Sequence, residues 1–299
     1  MQLHQMEYFL TVAEEGSFTR AAERLTIAQP SLSTQIARLE RELGGKLFER
    51  LPRGVVLTPA GRAFQVEAQQ AVLAASRARR AARATLDGNS GEIQIATVLS
   101  IAVGLLPASI SAWHQLRPGV TMGLHEYRHR EALQQAVAAG IGDVAIGPTP
   151  TEWRGPVVEL GEEEFVIVLA RDAAEATIGP RPLTDFAESE WVLYDESHGL
   201  SDFLDEICAA AGFRARGSVR TGQVEAAARL AAAGIGPALV PSNIVPPGLR
   251  ASIVHLDPPL LRPLAAYGRT EFSPLVDSYV RVLRQTTRHL RRKRESAVT

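Results

Sequence analysis

A chain of 299 residues, 45% hydrophobic and 22% charged, has the composition of a globular protein and is too long for one ordinary core. No run approaches the ~20 apolar residues that span a bilayer, Met1–Glu7 has neither the basic start nor the apolar stretch of a signal peptide, and the single cysteine, Cys208, cannot form an internal disulfide, so the cytoplasm is the expected location and no membrane partner is expected. The net charge of −1 is unevenly spread: residues 1–90 carry 12 Lys+Arg against 9 Asp+Glu, the remainder 20 against 24, a basic footprint on the N-terminal third that a dimer would double.

Leu3, Met6, Phe9, Leu10 and Ala13 fall at helical spacing and predict a first helix, ended by Gly16. Ser17 suits the N-cap of a second helix, although Arg20 replaces Glu or Gln at the capping-box position. Ala21, Ala22 and Leu25 give this helix a small-residue face that lets another helix approach. Thr26-Ile27-Ala28 breaks the chain before a third helix with Pro30 in its first turn, where a missing N–H costs nothing. Leu32, Ile36, Leu39 and Leu43 form one buried stripe on it. The opposite face shows Ser31, Ser33, Thr34, Gln35 and Arg38, short hydrogen-bonding side chains near the start and a cation further along. A recognition helix needs that arrangement, because its first residues meet base edges while hydroxyls, amides and N–H groups meet phosphates. Ala28 is a poor N-cap, which leaves the first N–H groups for a phosphate. Gly44-Gly45 closes the helix, and Lys46–Arg50 and Val55–Leu57 predict two short strands around Pro52-Arg53-Gly54. An Arg at a hairpin tip suits a minor groove. The plainer reading of each piece alone is a small α+β core with a solvated turn.

Taken together, Ser17–Leu25, Ala28–Ser33, Ile36–Glu40, Leu43-Gly44, Leu47–Arg50 and Leu57–Gly61 resemble, in order and spacing, the DNA-binding region of LysR-type transcriptional regulators. The resemblance implies a winged helix-turn-helix over residues 1–58, with the helix-turn-helix at about 17–43. It implies double-stranded promoter or operator DNA as the partner, with RNA polymerase a further candidate partner. Carried over residue by residue, Gln29, Pro30, Ser31, Ser33 and Arg53 are the expected DNA contacts, followed by Thr34, Gln35 and Arg38. Thr34 stands where the family usually has an Arg that reaches DNA.

Thr58-Pro59 opens a long helix as N-cap and N1 proline. Phe64, Ala68, Ala71, Ala75, Ala78, Ala82 and Leu86 step through it at near-heptad intervals over roughly 40 Å. Such a seam needs a partner, either a second copy or the chain itself; the resemblance implies paired linker helices at 59–87 in a dimer, and the family commonly forms tetramers. Arg77, Arg79, Arg80 and Arg83 read as a solvated face. Asp87–Gly91 is turn-forming, with the hinge placed at 88–91.

From Glu92 strands alternate with helices: strands at Glu92–Val98, Val120–Glu126, Val144–Ile146, Phe165–Leu169, Trp191–Tyr194, Ala238–Val240 and Leu264–Tyr267, helices at Leu105–Leu116, Arg130–Ala139, Leu200–Ala211, Val224–Ala233 and Pro274 to about Leu290. This alternation predicts a mainly parallel sheet covered on both faces. Leu105-Leu106-Pro107, Arg117–Val120, Ala139–Ile146 and Ala232–Pro241 resemble the effector domain of the same family, which implies a type 2 periplasmic-binding-protein-like fold over 92–299. Its two α/β subdomains would be about 92–162 plus 264–299, and 163–263, with a small-molecule effector between them.

Ligands in such folds bind beyond the carboxyl ends of strands, near helix N-termini. By position the candidates are Ser100, Arg128, His129, Thr149, Ser197, His198 and Gln223. Hydroxyl and amide donors beside an Arg or His would favour a carboxylate; the plain alternative for each is an exposed loop residue. The opposing functional class is a binding-protein-fold enzyme or solute-binding protein. An enzyme needs a convergent catalytic set, and H-E-x-x-H, C-x-x-C and phosphate-binding glycine loops are all missing, so no enzymatic activity and no cofactor are expected. Cys208 reads as core, and the basic run Arg288–Arg294 as a solvated helix end.

Overall fold

The computed structural model describes residues 1–51, 54–86, 91–173, 179–288 and 290. The hairpin-tip Arg53, the hinge at 88–90 and the basic terminus beyond Leu290 lie outside these residues, as do the side chains of Arg80 and Arg83. The chain divides into two compact units, Met1–Leu86 and Asp87–Thr299.

In the first unit, α1 (Leu3–Glu15) ends on Gly16 in the left-handed conformation at φ 58°, and Ser17 Oγ accepts the Arg20 N–H to cap α2 (Phe18–Leu25). Helix α3 (Gln29–Leu43) buries Leu32, Ile36 and Leu39 against α1 and α2. Leu43 on the last residue of α3 is 43% exposed, past the end of the packed stripe. Strands β1 (Phe48–Leu51) and β2 (Gly54–Leu57) form the antiparallel wing. Thr58 Oγ1 accepts the Gly61 N–H at the start of α4 (Pro59–Leu86), as the sequence predicts for an N-cap. Gly61 is required there, since a Cβ would stand 2.1 Å from the Leu47 carbonyl oxygen. Phe64 and Ala68 of the α4 seam pack into this unit's own core, where Phe9 meets Phe64 at 5.0 Å and Phe48 at 5.1 Å between ring centroids. Further along, Ala71 and Ala75 are half-buried and Ala78 and Ala82 exposed.

The second unit has one six-stranded sheet in the order β4-β3-β5-β10-β6-β9, and a separate parallel pair β7-β8. The strands are β3 (Gly91–Val98), β4 (Val120–Tyr127), β5 (Val144–Pro148), β6 (Val157–Ala170), β7 (Glu190–Tyr194), β8 (Arg216–Thr221), β9 (Ala238–Pro241) and β10 (Ala251–Tyr267). The helices are α5 (Leu99–Gly104), α6 (Leu106–Leu116), α7 (Arg130–Ala138), α8 (Gly199–Ala210), α9 (Val224–Ala232) and α10 (Pro274–Thr286). The sheet is mixed, not mainly parallel: β3 runs parallel to β4 and β5, but β10 is antiparallel to β5 and β6, and β6 to β9.

Two apolar cores result. Ile93, Ile95, Leu106, Trp113, Val144 and Tyr279 belong to the first, and Phe165, Trp191, Tyr194, Leu204, Ala227 and Leu239 to the second. Strands β6 and β10 serve both, with Leu160 and Leu264 in the first core, Phe165 and Val254 in the second. The chain therefore crosses from lobe to lobe on a pair of continuous antiparallel strands. At the crossing Gly161 takes φ 127°, a conformation that needs glycine, and lies opposite Leu264, where the register shifts.

Candidate functional site

On α3, burial of Leu32, Ile36 and Leu39 turns Gln29, Pro30, Ser31, Thr34 and Arg38 to solvent, with Ser33 and Gln35 half-buried. Gln29 Nε2 donates to Ser33 Oγ at 2.8 Å, and Thr34 donates to the Pro30 carbonyl, also at 2.8 Å. Gln35 Oε1 accepts from Gln5 Nε2 at 3.2 Å, which fixes its amide against α1. The start of α3 offers less to a phosphate than its uncapped sequence suggests. Ser31 and Leu32 N–H both bond the Ala28 carbonyl and Pro30 has no N–H, so the first turn has at most the Gln29 N–H to give. Behind this face Glu40 is buried; its Oε1 accepts the Leu47 and Phe48 N–H groups and its Oε2 pairs with Lys46 at 2.7 Å. One carboxylate thus ties the end of α3 to the start of β1.

In the second unit a cavity of about 380 Å³ lies between the two cores. Of the seven residues predicted from sequence, Ser100, Arg128, His129, Thr149 and His198 border it. Ser197 does not, but its Oγ accepts from Arg128 Nη1 at 3.2 Å. Gln223 stands away from the wall as N-cap of α9, its N–H donating to Thr221 Oγ1. Ser100 is on α5, an extra helix that follows β3 directly, and is buried instead of loop-exposed.

Sequence reasoning missed Arg262 and Glu163, which face each other across β10 and β6. Arg262 Nε donates to Glu163 Oε1 at 2.6 Å and Nη2 to Ser100 Oγ at 3.1 Å, with the guanidinium 4.9 Å from the Phe165 ring centroid. Arg262 borders the cavity; Glu163, 1% exposed, sits behind it and neutralises its charge. Glu163 Oε2 is buried without a protein partner. The wall also carries Arg130, ion-paired with Glu131, and the carboxylates of Asp202 and Glu206 beside apolar Leu99, Leu200, Phe203 and Leu261.

His198 is 2% exposed and stacks on Tyr194 at 5.1 Å between centroids. Its Nδ1 accepts the Leu200 N–H at 3.1 Å, which places the proton of the neutral ring on Nε2. Burial, then the charges of Arg128 and His129, push the imidazole down to about 4, against a smaller opposing effect of Asp195. The ring is therefore neutral at physiological pH. Among the described residues no serine, cysteine or carboxylate is hydrogen-bonded to it as a nucleophile–base pair would require. Among the described residues no cluster of His, Cys, Asp and Glu could hold a metal ion, and no helix is long and apolar enough to cross a membrane. Cys208 is buried in the second core, and burial pushes its thiol up to about 11.

Comparison with known proteins adds the following. The family described as bacterial regulatory helix-turn-helix protein, lysR family, matches residues 3–62, and the LysR substrate binding domain matches residues 86–288. The HTH-type transcriptional regulator TdfR of Cupriavidus pinatubonensis (strain JMP 134 / LMG 1197) is 32% identical over 295 residues, 95% of this chain and 96% of its own. The crystal structure of full-length BenM is 30% identical with a TM-score of 0.57, covering 97% of this chain and 96% of that one. The crystal structure of CbnR, a LysR family transcriptional regulator, has a TM-score of 0.73 over 96% of this chain and 100% of that one; at 24% identity this likeness speaks to the fold alone.

Proposed function

The chain belongs to the LysR family of DNA-binding transcriptional regulators, and from that premise we propose that its effector is a small anionic molecule bound between the two lobes of the second unit. The family consists of regulators, not enzymes, and its C-terminal domain is an effector-binding one. The observation that carries the anionic reading is the set of donors at the cavity wall: the Ser100 hydroxyl beside Arg262, whose charge Glu163 balances, together with the Arg128 guanidinium, which bonds the neutral Ser197 hydroxyl. Arg128, His129, Thr149 and His198 complete the proposed contacts, with Ser197 acting through Arg128.

On the DNA side the proposed contacts are Gln29, Pro30, Ser31, Ser33, Thr34, Gln35 and Arg38 of α3, together with Arg53 of the wing. The proposed division is 1–58 for DNA, 59–87 for dimerisation, 88–91 as hinge and 92–299 for the effector, with lobes at about 92–162 plus 264–299 and 163–263. The exposed later part of the α4 alanine seam supports pairing with a second copy; dimers would assemble further into tetramers, contact RNA polymerase and work in the cytoplasm. An effector would favour one closure state of the cleft and so change the spacing of the DNA-binding heads.

The test of the effector reading is to titrate the full chain with a panel of small carboxylates and their uncharged amides, following tryptophan emission. Saturable binding confined to carboxylates, weakened about tenfold in Ser100→Ala by loss of a charge-assisted contact, is the expected result. Equal binding of the amides would overturn the anionic assignment.

A further inference from the structure

The two lobes are joined covalently by β6 and β10, but they also meet without any chain crossing between them. Arg128 and His129 lie between β4 and α7 in the lobe of the first core; Ser197 and His198 lie between β7 and α8, and Gly199 opens α8, in the lobe of the second. The Gly199 N–H donates to the Arg128 carbonyl at 2.9 Å, and Arg128 Nη1 donates to Ser197 Oγ at 3.2 Å. His129 Nδ1 stands 3.8 Å from Asp202 Oδ2.

The approach is close enough to exclude a side chain, since a Cβ on Gly199 would lie 2.7 Å from the Arg128 oxygen and 3.2 Å from the His129 Cα. Gly199 is the first residue of α8, so its N–H has no partner within the helix. That donor is satisfied only from the other lobe, whereas its neighbours Leu200 and Ser201 bond to His198 within their own lobe. Arg128, His129, His198, Gly199 and Asp202 also border the cavity, so the junction forms part of its wall.

We propose that Arg128, Ser197 and Gly199 form a clasp that holds the lobes together at one side of the cavity, so that opening the clasp lets the lobes part and widens the way to the ligand site. Arg128 Nη1 is then engaged with Ser197 while the residue still borders the cavity, and the strength of the clasp sets the fraction of molecules ready to bind. The regulatory meaning rests on the cavity being the effector site; the clasp itself does not.

The test is amide hydrogen exchange on the full chain without ligand, read by mass spectrometry in peptides covering 198–204 and 127–131. The Gly199 amide is expected to be protected. Gly199→Ala, which removes the room for the contact, should speed exchange at positions 199 and 128–130 about three- to tenfold; Ser197→Ala, which leaves the backbone approach intact, should give a smaller increase at the same positions. Peptides from β3, β5 and β9 should not change in either variant. An unprotected Gly199 amide, no change in either variant, or a uniform rise across the domain would each overturn the clasp. A carboxylate found by the titration above should associate faster with Ser197→Ala. If no carboxylate binds while the exchange pattern holds, the effector reading fails and the clasp stands.

Discussion

The residues that shape the cavity wall differ in how visible they are. Ser100, Arg128, His129, Thr149 and His198 could be picked from sequence because they follow strands or open helices, where an α/β fold places its ligands. Arg262 and Glu163 could not. Glu162-Glu163-Glu164 looks like a run of surface charge, and pairing across to β10, Glu163 with Arg262 and Glu164 with His255, lets the strand continue through it. The same limit hid the protonation state of His198. Its folded pKa of about 4 lies below the ~6.5 of an unfolded histidine, so the unfolded chain binds the extra proton first. The stability this group contributes is complete above about pH 6.5 and is lost as pH falls toward 4. Between pH 7 and 5 the second unit should lose about 1–2 kcal/mol through His198, and His198→Asn, which can still accept the Leu200 N–H, should remove that part of the pH dependence. Urea unfolding followed by tryptophan emission checks this, since Trp113, Trp153 and Trp191 all lie in the second unit; an unchanged pH slope in the variant would contradict the assignment.

At the scale of elements, local signals were enough for the longer helices, while the six-residue α5 after β3 was missed. The apolar steps of α1, those of α3 apart from the exposed Leu43, the caps at Ser17 and Thr58 and the left-handed stop at Gly16 stand as the sequence predicts. Strands β6 and β10 were read only at one end each, because Gly161, Asp257-Pro258-Pro259 and the charged residues between their apolar ends resemble loops. That omission made the sheet look parallel. Strand β8 was missed as well: Arg216–Thr221 reads Arg-Gly-Ser-Val-Arg-Thr, with Val219 the one large apolar residue on its half-buried face. The wing depends on a contact that no spacing rule points to, the Glu40 carboxylate beneath Leu47 and Phe48. Glu40→Ala should leave both buried N–H groups unpaired and destabilise the first unit by about 1–3 kcal/mol. Faster amide exchange at positions 47 and 48, with tryptophan-detected unfolding unaltered, is the expected outcome.

For the molecule as a whole, a modestly basic N-terminal unit carries a recognition helix with its polar face exposed, and the second unit holds a cavity between two lobes joined by continuous strands. Phosphate contacts alone would give binding that is general and strongly dependent on salt. The exposed Gln29, Ser31 and Thr34 add groups able to read base edges. The most direct measurement is selection of bound fragments from random duplex DNA by the purified full chain, followed by footprinting at several salt concentrations. Enrichment of one interrupted palindrome, protected in two half-sites and still preferred as salt rises, is what a dimeric regulator with these recognition helices predicts. Recovery of no common sequence, with only general binding that vanishes as salt rises, would contradict it.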